Sequence, residues 1–326
     1  MKTALRVLVI GAVLLAAGAA HAQTVSGDSY PNHAVKVIVP FAPGGVTDVV
    51  ARLWAQSLSQ SMGQQIYVEN QAGGASNLGM GAAARQPADG YAILVAASSF
   101  TINPGLYNKI PYDPVRDFAP VTLLATTPSV LVVHPSLPVK SLEELVALVR
   151  AGPGKYSYAM SGVGTPNHLQ GEMFKRLFEL DLTTVPFAGG GPAIQSTLGG
   201  HTPIAFTAMT AVQSLVESGQ LRALAVTGTR RFSGMPDVPT FAERGIKGQE
   251  AGTFTGILVP SGTPKEIVTK LHAETVKVLA LPAVKQQLAK LGSEPIGEGP
   301  DEFSARIKDE IASWAKVIAD VGIERQ

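Results

Sequence analysis

Val39-Pro40-Phe41-Ala42-Pro43-Gly44-Gly45-Val46-Thr47-Asp48 runs from the end of an apolar β-type segment through a Gly-Gly turn into the start of a helical one. Glycine lets a backbone approach a ligand closely, and the first turn of a helix leaves N–H groups unpaired, aimed into the space beyond the strand. Such an end attracts a carboxylate or a phosphate. Asp48 competes with an anion for the same donors. It either caps the helix, as Thr47 also could, or accepts a bond from a bridging water or a polar group of the ligand. The pattern recurs twice. Ser161-Gly162-Val163-Gly164-Thr165-Pro166-Asn167-His168 follows a strand and opens a helix, with Thr165 as N-cap and Pro166 at the first helical position. Phe187-Ala188-Gly189-Gly190-Gly191-Pro192 does the same. Three glycine-rich helix starts at carboxyl ends of strands match the place where open α/β sheets bind ligands.

Outward from these turns, short β-type runs alternate with longer helical periodicity, the mark of parallel βαβ units. Strands are expected at 35–40, 65–70, 91–97, 130–135, 156–161, 183–187, 203–207, 221–227 and 255–260. In the first helix Val49, Leu53 and Ser57 share a face, with Val50, Trp54 and Leu58 beside it and Gly63 as the stop. The last helix carries Phe303, Ile307, Ile311, Trp314 and Ile318 on one stripe, read as core-facing. About 300 residues is the size at which single cores stop growing, so two lobes are expected. The apolar runs 121–133 and 221–227 are read as strands crossing between them. The boundaries are then 23–126 with 229–326 for the first lobe and 127–228 for the second.

The chain has 326 residues, 45% of them apolar, and no Cys, which excludes a disulfide miniprotein and a thiol enzyme. Lys and Arg number 26 against 25 Asp and Glu, so there is no basic excess to hold nucleic acid. Lys2 and Arg6 precede an apolar run, Val7 to Ala20, and Ala20-His21-Ala22 fits a small-x-small cleavage pattern. Residues 1–22 therefore read as a secretory signal peptide, with the alternative of an N-terminal membrane anchor disfavoured by the shortness of the run.

Catalytic constellations are missing: the chain has no G-x-S-x-G, H-E-x-x-H, P-loop or G-x-G-x-x-G motif. Ser313-Trp314-Ala315-Lys316 matches S-x-x-K but sits on an amphipathic helix and reads as coincidence. The histidines are scattered without metal-ligand spacing, and neither a metal nor a cofactor is expected. Two further groups could supply donors to a cleft, the hydroxyls of Ser98, Ser99 and Thr101 and the loop Gly73-Gly74-Ala75-Ser76. Charge-assisted hydrogen bonds contribute about 1.5 to 3 kcal/mol each, so four or five of them, less the entropy of association, reach micromolar binding of a small carboxylate.

Several motifs in order carry a family likeness: Pro40-Phe41-Ala42-Pro43-Gly44-Gly45 with Asp48, Val68-Glu69-Asn70 with Gly73-Gly74, Ala88-Asp89-Gly90-Tyr91, Asn103-Pro104 with Leu106-Tyr107, Ser161-Gly162 with Gly164 and His168, Gly189-Gly190, and 221–227. Together they resemble the Bug (Bordetella uptake gene, TctC-type) extracytoplasmic solute receptors over essentially the whole mature chain. The resemblance implies a type II periplasmic binding protein: two α/β lobes, joined by two crossing strands, closing on a small organic carboxylate. It also implies capture by backbone donors of loops 44–48 and 162–168 with bridging waters, and delivery to the membrane permease subunits of a tripartite tricarboxylate transporter. Pro203 stands where many relatives carry Asp, so a preference tied to that Asp does not transfer.

The expected binding residues are Phe41, Gly44, Gly45, Thr47, Asp48, Ser98, Ser161, Gly164, Thr165, His168, Ala188, Gly189 and Thr207. Capture is assigned to backbone groups around Gly44, Gly45, Gly164 and Thr165. Asp48, Ser98, His168, Gly189 and Thr207 are assigned selectivity. The chain is expected to be a periplasmic, monomeric receptor with no catalytic residue and no nucleic-acid partner. A sensor that presents the bound carboxylate to a signalling receptor is the alternative, and an enzyme on the same lobes is the remote one.

Overall fold

The computed structural model describes residues 30–326 except 163, 188, 229, 247–251 and 321. The expected signal segment lies outside the described residues. The first sheet contains β1 (Val35–Val39), β2 (Ile66–Asn70), β3 (Ala92–Ala97), β4 (Phe118–Thr127), β10 (Thr253–Pro260) and β11 (Glu294–Glu298), in the order β11-β4-β10-β3-β1-β2. The second contains β5 (Ser129–Val133), β6 (Tyr156–Met160), β7 (Leu182–Pro186), β8 (Ile204–Ala208) and β9 (Arg222–Val226), in the order β7-β6-β8-β5-β9.

Pro128 explains why the apolar run 121–133 is two strands. Proline has no N–H to give a ladder, so β4 ends before it in the first sheet and β5 begins after it in the second. The chain returns between β9 and β10. At the crossing, the Ser129 and Thr227 backbones are tied by Thr227 N to Ser129 O at 2.8 Å and by Ser129 N to Thr227 Oγ1 at 2.9 Å. β5 is apolar at every position after Ser129 because both faces of its sheet are covered. Leu131 and Val133 enter one cluster with Tyr158, Phe174 and Phe206, whereas Val130 and Val132 enter another with Ile194, Met209 and Val212.

Helices α1 (Val46–Met62), α2 (Asn77–Ala84), α3 (Ser99–Leu106), α5 (Pro166–Leu177), α6 (Gly190–Leu198) and α10 (Pro300–Asp320) place the residues that matter below. Helices α4 (Leu142–Ala151), α7 (Gln213–Glu217), α8 (Lys265–Ala280) and α9 (Pro282–Lys290) lie between these in the chain. In α1 the core-facing stripe is Val50, Ala51, Trp54, Ala55 and Leu58, and Val49 is exposed. The expected Val49/Leu53/Ser57 face is therefore displaced by one residue, because Trp54 has the larger apolar surface to bury and sets the phase. Gly63 does stop the helix, at φ 68°. On α10 the stripe is placed as read, with Phe303, Ile307, Trp314 and Ile318 buried.

Glu310 on α10 is a largely buried carboxyl in contact with Thr101 Oγ1 at 3.1 Å and with Arg306 at 3.9 Å. Burial pushes it up to about 7, against the hydroxyl and Arg306, while the Glu298 charge adds to the rise. The folded chain therefore keeps this proton from the ordinary carboxylate range up to about pH 7, where the unfolded chain has released it. Stability falls as pH rises through that window, by an amount on the order of 3 kcal/mol. Glu310→Gln should remove this slope, so that the variant gains on wild type in denaturant midpoint at pH 8 and not at pH 4. Parallel curves for the two proteins across that range would refute it.

Candidate functional site

The topology brings the glycine-rich turns together. β1, β2 and β3 run parallel, and β4 shares their direction because both β3 and β4 pair antiparallel with β10. Their carboxyl ends thus lie on the edge from which the chain crosses at Pro128. In the second sheet β6, β7 and β8 are parallel, and β8 pairs antiparallel with β5 so that Ala208 meets Ser129. Their carboxyl ends lie on the crossing edge too. The two sets of loops face each other across the junction, and they touch: a Cβ added to Gly164 would sit 2.3 Å from Leu106 Cδ2 of α3.

Each facing loop is braced by the residue four places on. The Gly44 N–H donates to Asp48 Oδ2 at 2.9 Å, and the Gly164 N–H donates to His168 Nδ1 at 3.2 Å. Gly44 and Gly164 hold φ of 87° and 76°, the left-handed region that a Cβ disfavours. Asp48 is buried and is also held by Arg52 Nε at 3.1 Å and by Asn70 Nδ2 at 2.8 Å. Burial raises its pKa, but the bonds from Arg52, Gly44 and Asn70 outweigh this and hold the carboxyl below the usual carboxylate range. Asn70 Nδ2 binds Phe41 O as well, at 3.0 Å, so Phe41 enters through its carbonyl. His168 is buried, and burial lowers its pKa against the pull of Glu172. The ring is therefore neutral, and because Nδ1 accepts from Gly164 its proton sits on Nε2.

The backbone donors expected around Gly44, Gly45, Gly164 and Thr165 are partly engaged within their own loops. Gly44 and Gly164 donate to the braces, and Thr165 N donates to Gly162 O at 3.4 Å. An ordered loop satisfies its own amides where it can. Of the four named capture residues only the Gly45 N–H has no partner among the described residues. With it stand the first-turn amides of Val46 and Thr47 on α1 and of Gly190 and Gly191 on α6, which helix geometry leaves open. Neither Thr47 nor Asp48 is the N-cap: α1 begins at Val46 with Gly45 as cap, and no side chain accepts there. Thr165 caps α5 as read, accepting the His168 N–H at 3.3 Å, with Pro166 at the first position.

The remaining expected residues divide. Ser161 Oγ meets Asn167 Nδ2 at 3.3 Å, and Asn167 Oδ1 meets Ser129 Oγ at 3.0 Å, which ties this loop to the crossing strands. Gly189 is the N-cap of α6 at φ 134°, and among the described residues, its chain neighbours aside, no atom lies within 4 Å of a Cβ built on it. Thr207 is buried on β8 opposite Val130. Ala188 lies outside the described residues. Ser98 Oγ accepts the Phe254 N–H at 3.1 Å and so joins β3 to β10. Thr101 is spoken for by Ser98 O and Glu310. Ser99 Oγ is the one hydroxyl of this group that is buried without a partner among the described residues. Pro203 precedes the amino end of β8, a strand length of roughly 13 Å from Thr207, so it is remote from the facing loops.

The glycine pattern did not reveal Arg52, Asn103 or the strain in the loop after β2. Arg52 carried a usable signal, its i,i+4 spacing from Asp48 on a helix. Ala75 and Ser76 are consecutive left-handed residues at φ 51° and 76°. Asn103 Nδ2 pins this loop through Ala75 O at 2.9 Å and Asn77 Oδ1 at 2.8 Å. Backbone in this region costs on the order of 1 kcal/mol per residue and persists where its surroundings over-determine it.

Among the described residues no group of three or more His, Asp or Glu is placed to hold a metal, and no helix is long and apolar enough to cross a membrane. The profile of the tripartite tricarboxylate transporter family receptor, TctC, matches residues 50–323. Protein BugT of Bordetella pertussis (strain Tohama I) is 37% identical over 316 residues, covering 96% of each chain. The structure of R. palustris Rpa4515 with adipate is 34% identical, with a TM-score of 0.78 over 91% of this chain and 100% of that one. MatC of Rhodopseudomonas palustris with bound malate is 32% identical, with a TM-score of 0.73 over 89% of this chain and 100% of that one.

Proposed function

The chain belongs to the tripartite tricarboxylate transporter receptor family, and from that premise we propose that it captures a small organic carboxylate between its two sheets and delivers it to a membrane permease. The observation that carries this reading is the pair of glycine-rich loops facing one another, each braced from its own helix. Asp48 already has Arg52 as its cation, and His168 is neutral, so the bracing side chains bring no spare positive charge. The acid group is held by peptide dipoles and helix ends: Gly45, Val46 and Thr47 from one side, Gly190 and Gly191 from the other. Ser99 Oγ and His168 Nε2 are the side-chain donors. Relatives bound to adipate and to malate support a dicarboxylate as the first ligand to try.

The protein works in the periplasm as a monomer, exported through residues 1–22, with lobes 23–126 plus 229–326 and 127–228. A ligand touching both lobes binds the closed state better and shifts the population toward it. Turnover is not part of the mechanism: the ligand should be recovered unchanged.

The test is titration calorimetry with adipate, malate, citrate and the corresponding amides on wild type and Gly45→Val. Gly45 has φ −73° and ψ 162°, and the nearest atom to an added Cβ is Ala42 O at 3.8 Å. Valine fits this extended backbone, so stability should stay within about 0.5 kcal/mol. Its branches crowd the open amides, and affinity for an acid should fall at least about tenfold. Unchanged affinity would remove the 41–48 loop from the site, and amides that bind as well as acids would remove carboxylate recognition.

A further inference from the structure

Away from the crossing strands a second patch joins the two sheets. Ile102 and Leu106 of α3, Leu169 of α5, and Trp314, Val317 and Ile318 of α10 form one buried cluster. Met173 packs on it from α5, and Arg176, one turn further, donates to Asp320 O at the end of α10. Helix α5 belongs with the second sheet, α3 and α10 with the first. The patch includes Leu106, whose Cδ2 is the atom that an added Cβ at Gly164 would strike.

Helix α3 is a poor support for that contact on its own. It has eight residues with Pro104 inside, which gives no N–H to the last turn, and the carbonyls of its end have no intrahelical partner. One short segment takes three of them. Arg325 donates to Pro104 O at 2.6 Å and to Gly105 O at 2.9 Å, and Gln326 N donates to Leu106 O at 2.9 Å. Asn108 N returns a bond to Gln326 O at 2.7 Å. Beneath, Gly105 lies so close to α10 that a Cβ would be 3.0 Å from Ile318 Cδ1 and 3.2 Å from Ala315 Cα. The end of α3 is thus clamped from above by Arg325 and from below by α10.

We propose that Arg325 is a positioning residue for ligand capture: by clamping the end of α3 it fixes Leu106 as the stop against which the 161–168 loop of the opposite lobe comes to rest. A guanidinium fork suits two adjacent carbonyls, whereas an ammonium serves them as a single point. The stop sets how far the facing loops approach each other, so residues that never touch ligand tune affinity for all ligands alike. The link to affinity rests on the receptor reading above. The link between Arg325 and the opposite loop does not.

Amide hydrogen exchange on the ligand-free protein separates the two. Arg325→Ala should speed exchange in 103–108 and, across the lobe boundary, in 161–168, while β1 keeps its protection. Arg325→Lys should give an intermediate change. Leu106→Ala leaves every Arg325 bond in place and should speed exchange in 161–168 with less effect on 103–108. Wild-type exchange in 161–168 for Arg325→Ala would overturn the proposal and leave Arg325 as a local clamp. With adipate as probe, Arg325→Ala should raise Kd about tenfold through faster dissociation, the equivalent of one charge-assisted bond. If wild type binds none of the acids tried, the receptor reading fails, and the exchange comparison still decides the role of Arg325.

Discussion

Gly164→Val should abolish measurable capture of small carboxylates, with a loss of about a hundredfold or more, and it should do so from a loop whose own amide is already bonded to His168. Two costs add. A φ of 76° costs a residue with a Cβ about 1 to 2 kcal/mol, and β-branching makes it worse. The new Cβ would also meet Leu106 Cδ2 at 2.3 Å. Leu106 is buried in the interlobe cluster, so its retreat opens that cluster and the facing loops move apart. The double variant Gly164→Ala with Leu106→Ala relieves the contact and keeps the backbone strain, so it should recover part of the affinity lost by Gly164→Ala alone. Binding by Gly164→Val within about threefold of wild type would show that the loops need not meet to hold a ligand.

Asp48→Ala should cost about 2 to 4 kcal/mol of stability and at least about tenfold in affinity. The carboxylate accepts from Gly44, Arg52 and Asn70 at once, and Asn70 in turn holds Phe41 O. Its removal leaves the Gly44 N–H without a partner and Asn70 half-satisfied. Freeing the Gly44 amide offers a ligand one more donor, but an untethered loop must be ordered on binding, and that entropy outweighs one bond. Because half of the Arg52 side chain is exposed, water replaces part of the ion pair, and the stability loss stays below that of a fully buried pair. The pH sign follows from the depressed pKa. The stabilisation by Asp48 is present above the ordinary carboxylate range and is lost as pH falls through the depressed folded value, so wild type and Asp48→Ala should converge in denaturant midpoint as the solution is acidified to a pH below that range. A constant gap down to that pH would mean that the charge of Asp48 does not hold the loop.

Much of the architecture was legible because sheets and caps leave local signatures. A strand in a sheet covered on both faces is apolar along most of its length, and 35–39, 92–97 and 129–133 read that way apart from Lys36 and Ser129. Thr165-Pro166 announced the start of α5 through two rules that concern neighbouring residues only. β11 was not legible: Glu294-Pro295-Ile296-Gly297-Glu298 is a half-buried edge strand with Pro and Gly inside, and its strand character comes from β4 beside it. The phase of α1 was legible only in part, since two apolar stripes lie side by side in the sequence and the packing of Trp54 buries the Val50/Trp54/Leu58 one.

By itself the sequence determined the alternation of strands and helices and the glycine-rich turns at strand ends, because each depends on residues within one turn or one pleat of each other, and it determined the family likeness, which needs only the order of such local motifs along the chain. Only the tertiary structure decided which amides remain open. The Gly44 and Gly164 donors are consumed by Asp48 and His168, and the Ser98 hydroxyl is held by a strand 156 residues away. Hydrogen-bond capacity is finite, so a donor is free for a ligand only after every neighbour that folding brings to it has been counted, and most of those neighbours are distant in the chain. The same holds for Leu106 and Gly164: their contact joins opposite lobes, and neither residue's local sequence carries any trace of the other.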